Sequence, residues 1–171
     1  MDKFERLVDA YHGRASECPA SKLDLLMDLE RTRDDRLVPF LLKVLGDSDE
    51  AEEVRIYVLR HLRNGGGLVD PASRPAVAKA IGDVLAESST ADLRLQAALA
   101  LGEFIHIDGV LPHLRAVCLA QDESIDLRYA AFTSLERAEP TPEGVAVLRQ
   151  LSSDDTLGGS ARSVLSAWHV E

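Results

Sequence analysis

The chain has 171 residues, 46% apolar and 28% charged, and its 29 acidic side chains outnumber 19 basic ones, for a formal charge of −10. That length fits one domain able to hide about 70% of the surface its unfolded form exposes, so a core can form without disulfides or metal. The acidic balance argues against nucleic acid, whose phosphates are bound through basic surfaces. Two cysteines, Cys18 and Cys118, no long apolar run and no charged-then-apolar start lead us to expect a cytoplasmic chain without a membrane segment.

In chain order, every apolar pattern has the period of a helix. Arg36 to Leu45 is followed by the turn Gly46-Asp47-Ser48-Asp49 and then by Glu53 to Leu62. Asn64-Gly65-Gly66-Gly67 breaks the chain, and Asp70-Pro71 supplies a capping side chain with proline at the first helical position. Val77 to Leu85, the turn Ser88-Ser89-Thr90 and Asp92 to Leu101 follow. Val110 to Leu119 and Asp126 to Leu135 form the next two segments. Thr141-Pro142-Glu143 then starts Val145 to Leu151, and Ser152-Ser153-Asp154-Asp155 turns into Ser160 to Ser166.

These segments repeat. Arg55, Arg94, Arg128 and Arg162 each follow an apolar or small residue, and the spacings between them are 39, 34 and 34 residues. At 100° per residue, positions −1, +3, +4 and +7 from the arginine share one face, occupied by Val54, Val58, Leu59 and Leu62, and by Leu93, Ala97, Ala98 and Leu101. That face is the expected core. Leu29-Glu30-Arg31 mirrors Leu135-Glu136-Arg137, which puts Lys22 where an earlier arginine belongs. The reading is five helix pairs in one domain spanning 1–171, at approximately 1–33, 34–66, 70–106, 109–139 and 141–171.

With Pro39 and Pro112 inside first helices, Asp47 and Asp122 in turns, and Leu93-Arg94-Leu95-Gln96-Ala97-Ala98-Leu99-Ala100-Leu101-Gly102 as the best unit, the chain resembles the HEAT repeats of armadillo-type solenoids. It is similar to the short bacterial HEAT-like repeats also found in phycobilin lyase subunits. The resemblance implies an all-α fold, a right-handed superhelix of about five helix pairs. Two positions depart from it: Lys22 replaces an arginine and His169 a leucine. A single helix pair cannot bury its apolar face, so a continuous core needs about three stacked pairs. Arg55, Arg94, Arg128 and Arg162 then form a structural ladder, with Asp47 or Asp49, and Asp122, as expected acceptors.

A catalytic set is hard to find. The five histidines have no metal-ligand spacing, and no His-Glu dipeptide recurs as in the di-iron members of the broader fold. Gly65-Gly66-Gly67 lacks the lysine and hydroxyl of a phosphate loop. Glu103 and His106, one turn apart, read better as polar helix-end residues than as an acid–base pair, and Cys118 as a small core side chain. Alkylated-base glycosylases of this fold use basic concave surfaces, which −10 disfavours. We therefore expect no enzyme, no cofactor and no metal.

Recognition then falls to the surface. Positions +2, +5 and +9 of each second helix point away from the core and would line the inner curve: Tyr57, Arg60 and Asn64, then Gln96, Leu99 and Glu103, then Ala130, Thr133 and Arg137, with His61 and Tyr129 alongside. Asp47, Asp49, Glu50, Glu52 and Glu53 offset a helix dipole or steer a basic partner. The expected function is a protein–protein scaffold or adaptor whose concave face meets another protein, a basic one included. The alternatives are a subunit of a bilin lyase-like modifying enzyme and an immunity or inhibitor protein. Trp168 is read as a cap on the last pair.

Overall fold

Capping chemistry opens the structure. In the computed structural model, which describes residues 1–14, 18–64, 68–87 and 90–170, Asp2 and Glu5 form a reciprocal capping box at the start of helix α1 (Lys3–His12). Gly65-Gly66-Gly67 and Ser88-Ser89 lie outside the described residues. Among the described residues there are ten α-helices, one 310 turn and no strand. The chain divides into two compact units, Met1–Ser73 and Arg74–Glu171.

The first unit holds α1, α2 (Pro19–Thr32), α3 (Leu37–Gly46) and α4 (Glu52–Asn64). α1 packs on α2, α3 on α4, and α2 on α4. The face read from the sequence is buried: Val54, Val58, Leu59 and Leu62 of α4 are at most 2% exposed, and Leu26 and Leu29 of α2 are fully covered. Phe40 of α3 meets Phe4 and Tyr11 of α1 edge-on at 6.4 and 5.3 Å.

The second unit holds α5 (Arg74–Glu87), α6 (Ala91–Ala100) running into a 310 turn at Leu101–Phe104, α7 (Val110–Leu119), α8 (Ile125–Leu135), α9 (Pro142–Leu151) and α10 (Gly158–Ala167). α5 packs on α6, α7 on α8 and α9 on α10, while α6 also packs on α8, α5 on α7 and α7 on α9. Thr141 caps α9 by accepting from the Gly144 amide, with Pro142 at the first helical position. Asp70-Pro71 does not open a helix. Asp70 accepts from the Ser73 amide in a turn, and α5 starts at Arg74 with Pro75 in its first turn. α6 and α8 approach closely because Gly102 leaves room for Ser134, whose hydroxyl donates to the Ala98 carbonyl at 2.6 Å. A Cβ at position 102 would stand 3.0 Å from that hydroxyl oxygen.

The four arginines share one arrangement. Each donates to a carbonyl nine or ten residues back, at the C-terminal end of the preceding helix: Arg55 to Leu45 at 2.8 Å, Arg94 to Leu85 at 2.9 Å, Arg128 to Cys118 at 2.9 Å, and Arg162 to Ser152. Those carbonyls lack an intrahelical partner and carry the negative end of the helix dipole. Arg94 then reaches Glu123 with two bonds of 3.0 and 2.5 Å, and Arg128 reaches Asp154 at 2.6 Å. In the first unit Lys22 replaces arginine and binds Glu50 at 3.0 and 2.8 Å, with the Tyr11 hydroxyl donating to the same carboxylate. The acceptors are thus Glu50 and Glu123, not Asp47, Asp49 or Asp122. Glu50, Glu123 and Asp154 each close a turn through their own amide, bonded to the carbonyl three residues back. That turn aims these side chains inward, whereas Asp47 binds the Asp49 amide and Asp122 is exposed.

Burial grades the ladder. The Arg128 and Asp154 side chains are 4% and 5% exposed, those of Arg94 and Glu123 24% each, and Arg162 is exposed. Arg128→Ala strands a buried carboxylate and is expected to cost about 3–5 kcal/mol in urea unfolding, Arg94→Ala less, and Arg162→Ala least. Equal losses at the three positions would refute this grading.

Asp154 also accepts from the Leu157 and Thr156 amides and from Gln121, each at 2.8 Å. The Leu157 amide, against burial and together with Gln121, Thr156 and Arg128, holds its carboxyl well below the usual carboxylate range. Arg94 likewise lowers Glu123. A depressed folded pKa stabilises the fold above the unfolded value of about 4, and that contribution is lost as the pH falls further. Stability of the wild type should therefore drop on acidification below about pH 4, and Asp154→Asn should flatten that drop while lowering stability at pH 7. Denaturant midpoints between pH 2 and 7 check it.

Candidate functional site

With the ladder cations held by helix ends and turn acids, the outward faces of the second helices carry the accessible side chains. In the first unit, Tyr57, Arg60 and His61 lie on α4. Arg60 is exposed, while Tyr57 is half-buried and its ring stacks on His61 with centroids 4.0 Å apart. His61 Nδ1 stands 3.0 Å from Glu30 Oε1 on α2. The Tyr57 hydroxyl is shielded from water without a hydrogen bond of normal geometry. Burial first, and the Glu30 carboxylate second, push its titration up.

In the second unit, Gln96 and Leu99 of α6 are half-buried. Glu103 and Arg137 pair at 2.6 Å, joining the end of α6 to the end of α8. The Glu103 carbonyl accepts from Arg74, whose guanidinium lies 4.6 Å above the Phe104 ring. Tyr129 and Thr133 are exposed on α8, and the Thr133 hydroxyl donates to the Tyr129 carbonyl at 2.9 Å. Ala130 departs from the expectation: it is 7% exposed, because its small side chain sits on the side where α8 meets α6. Tyr129 and Thr133, with Leu95 and Asp92 of α6, line an open groove of about 650 Å³ between α6 and α8. The Arg94–Glu123 pair lies at this groove, its opposite charges already matched.

Several of these residues escaped the sequence reading. Glu30 was visible only as part of a repeated Leu-Glu-Arg, and Ile125, 59% exposed, precedes Tyr129 by one helical turn. Asp92 and Asp126 stand two residues ahead of Arg94 and Arg128, a recurrence that marks the first turn of each second helix. Glu103 and His106 do not form an acid–base pair: Glu103 is engaged by Arg137, and His106 is exposed in the following turn. Cys118 is fully buried, its thiol pushed up to about 12 by burial. Among the described residues, no three His, Cys, Asp or Glu side chains converge as metal ligands, and no helix is long and apolar enough to cross a membrane.

No protein-family model matches the chain, and no curated protein is similar to it.

Removing the Tyr57 hydroxyl deletes a buried polar atom without breaking a normal hydrogen bond, so Tyr57→Phe should leave stability unchanged or raise it by up to about 1 kcal/mol. A drop of that size in thermal or urea unfolding would contradict the geometry.

Proposed function

We propose that this protein is a HEAT-like solenoid working as a non-enzymatic protein–protein scaffold or adaptor, with the outward faces of its second helices as the contact surface. The observation that supports this reading is the repeated wiring of Lys22–Glu50 in the first unit and of Arg94–Glu123 and Arg128–Asp154 in the second, each tying a second helix to the turn of the helix pair that follows it. It commits the conspicuous cations to holding pairs together. The residues left to meet a partner are Tyr57, Arg60 and His61 in one unit, and Gln96, Leu99, Tyr129 and Thr133 in the other. Tyrosine and arginine are the side chains most able to anchor an interface, through large contact area and planar donors. A net charge of −10 favours a basic protein and speeds its approach at low salt.

The test is capture of partners by the tagged full chain in its native cell. A protein retained by the wild type and released by Tyr57→Ala/Arg60→Ala or Tyr129→Ala/Thr133→Lys, with circular dichroism showing both variants folded, is the expected result. Retention unaffected by both pairs of substitutions, or turnover of a small molecule with no protein bound, would overturn the proposal.

A further inference from the structure

Ile125 and Tyr129 lie one turn apart on α8, are 59% and 41% exposed, and share a helix face. The first turn of a helix is easily filled by polar side chains, so an isoleucine open to water there has no local structural reason. Tyr129 is steadied at its far end, its hydroxyl donating to the Thr156 carbonyl at 3.4 Å. The ring is therefore presented as part of a wall and does not swing freely. Behind it runs the α6–α8 groove, with Leu95 and Ala130 supplying apolar surface.

The charges around this groove are unequal. Arg94 and Glu123 cancel each other. Asp92 and Asp126, in the first turns of α6 and α8, also line the groove and are bonded to no cation among the described residues. The groove thus presents Leu95 and Tyr129 together with two carboxylates that pair with no side-chain cation among the described residues, and Ile125 stands one turn before Tyr129 on α8, outside the groove lining. A second copy of this chain carries the same net charge of −10, and like charges at a contact are repulsive.

We infer that the α6–α8 groove binds a basic amphipathic segment of another protein: an apolar or aromatic anchor placed against Tyr129 and Leu95 and continuing over the neighbouring exposed Ile125 of α8, with lysines or arginines meeting Asp92 and Asp126. This assignment rests on the adaptor reading above and gives it a site and a partner chemistry. The anchor supplies affinity by removing apolar surface from water, and the carboxylates supply orientation and association rate.

The probes are fluorescein-labelled peptides of one amphipathic helical pattern carrying Lys with Leu, Glu with Leu, or Lys with Gln, titrated with the full chain. The Lys/Leu peptide should bind best and weaken as salt rises. Ile125→Gln/Tyr129→Ala should reduce its affinity by about tenfold or more. Asp92→Asn/Asp126→Asn should flatten the salt dependence and slow association. All four positions are accessible, and circular dichroism should show both variants folded. The inference is overturned if no peptide binds, if Lys/Gln or Glu/Leu binds as well as Lys/Leu, or if either double variant binds like the wild type. Sedimentation showing a dimer that Ile125→Gln/Tyr129→Ala dissolves would assign the patch to a second copy and also overturn it. A cellular protein still held by Ile125→Gln/Tyr129→Ala, with no Lys/Leu binding, would remove this site and leave the adaptor reading intact. A chain that binds the Lys/Leu peptide as described yet captures no protein would remove the adaptor reading alone.

Discussion

A guanidinium set between the end of one helix and the turn of the next pair is the interaction on which the helix stacking depends. The last carbonyls of a first helix have no intrahelical partner, and covering them with a second helix would leave them dry and unsatisfied. Arg55, Arg94, Arg128 and Arg162 solve this within their own pairs by donating to Leu45, Leu85, Cys118 and Ser152. Once there, the cation needs a counter-charge, and in two cases the turn of the following pair provides it. One side chain therefore both closes a helix and fixes the register of its neighbour. Lysine at position 22 keeps only the second role, holding Glu50 through its ammonium while Tyr11 takes the same carboxylate.

This division of labour accommodates many acidic side chains within each of the two units. Glu50 and Asp154 are neutralised where they are buried and Glu123 where it is half-buried, whereas most of the surplus negative charge stands in first turns and loops where helix dipoles or water receive it. The strongly bound carboxylates shape the core edge, and the loosely held ones set the long-range field. Asp92 and Asp126 belong to the second group although they sit within two residues of ladder arginines, because successive residues on a helix point about 100° apart and two residues carry the side chain well away from the pair.

The architecture was legible where one rule decides the outcome. Positions −1, +3, +4 and +7 around Arg55 and Arg94 are buried because periodicity alone places them on one face. The recurring arginine was legible for the same reason, and each copy donates to a carbonyl at the end of the helix before it. The carboxylate acceptor was not legible, since choosing between Asp122 and Glu123 requires knowing that the Glu123 amide closes a turn on the Ala120 carbonyl and so swings that side chain inward. Ala130 was misplaced because helical angle measures direction from one core face only, while α8 is also covered on a second side by α6. Asp70-Pro71 carried a genuine turn signal, but a turn of its own satisfied it before the helix began.

The functional surface was half legible, and the missing half has a physical cause. Tyr129 and Thr133 follow from the helical period, but the groove they line lies between α6 and α8, whose pairing, close at Gly102 and Ser134, is a property of two helices and not of one. The same approach that buries Ala130 leaves Ile125 and Tyr129 exposed on α8, Tyr129 at the wall of the groove. Exposed apolar area of that kind raises the free energy of the isolated chain and the tendency to associate. It is tolerable here because the adjacent carboxylates repel a second acidic copy, and the same carboxylates would attract a cationic segment to the same place.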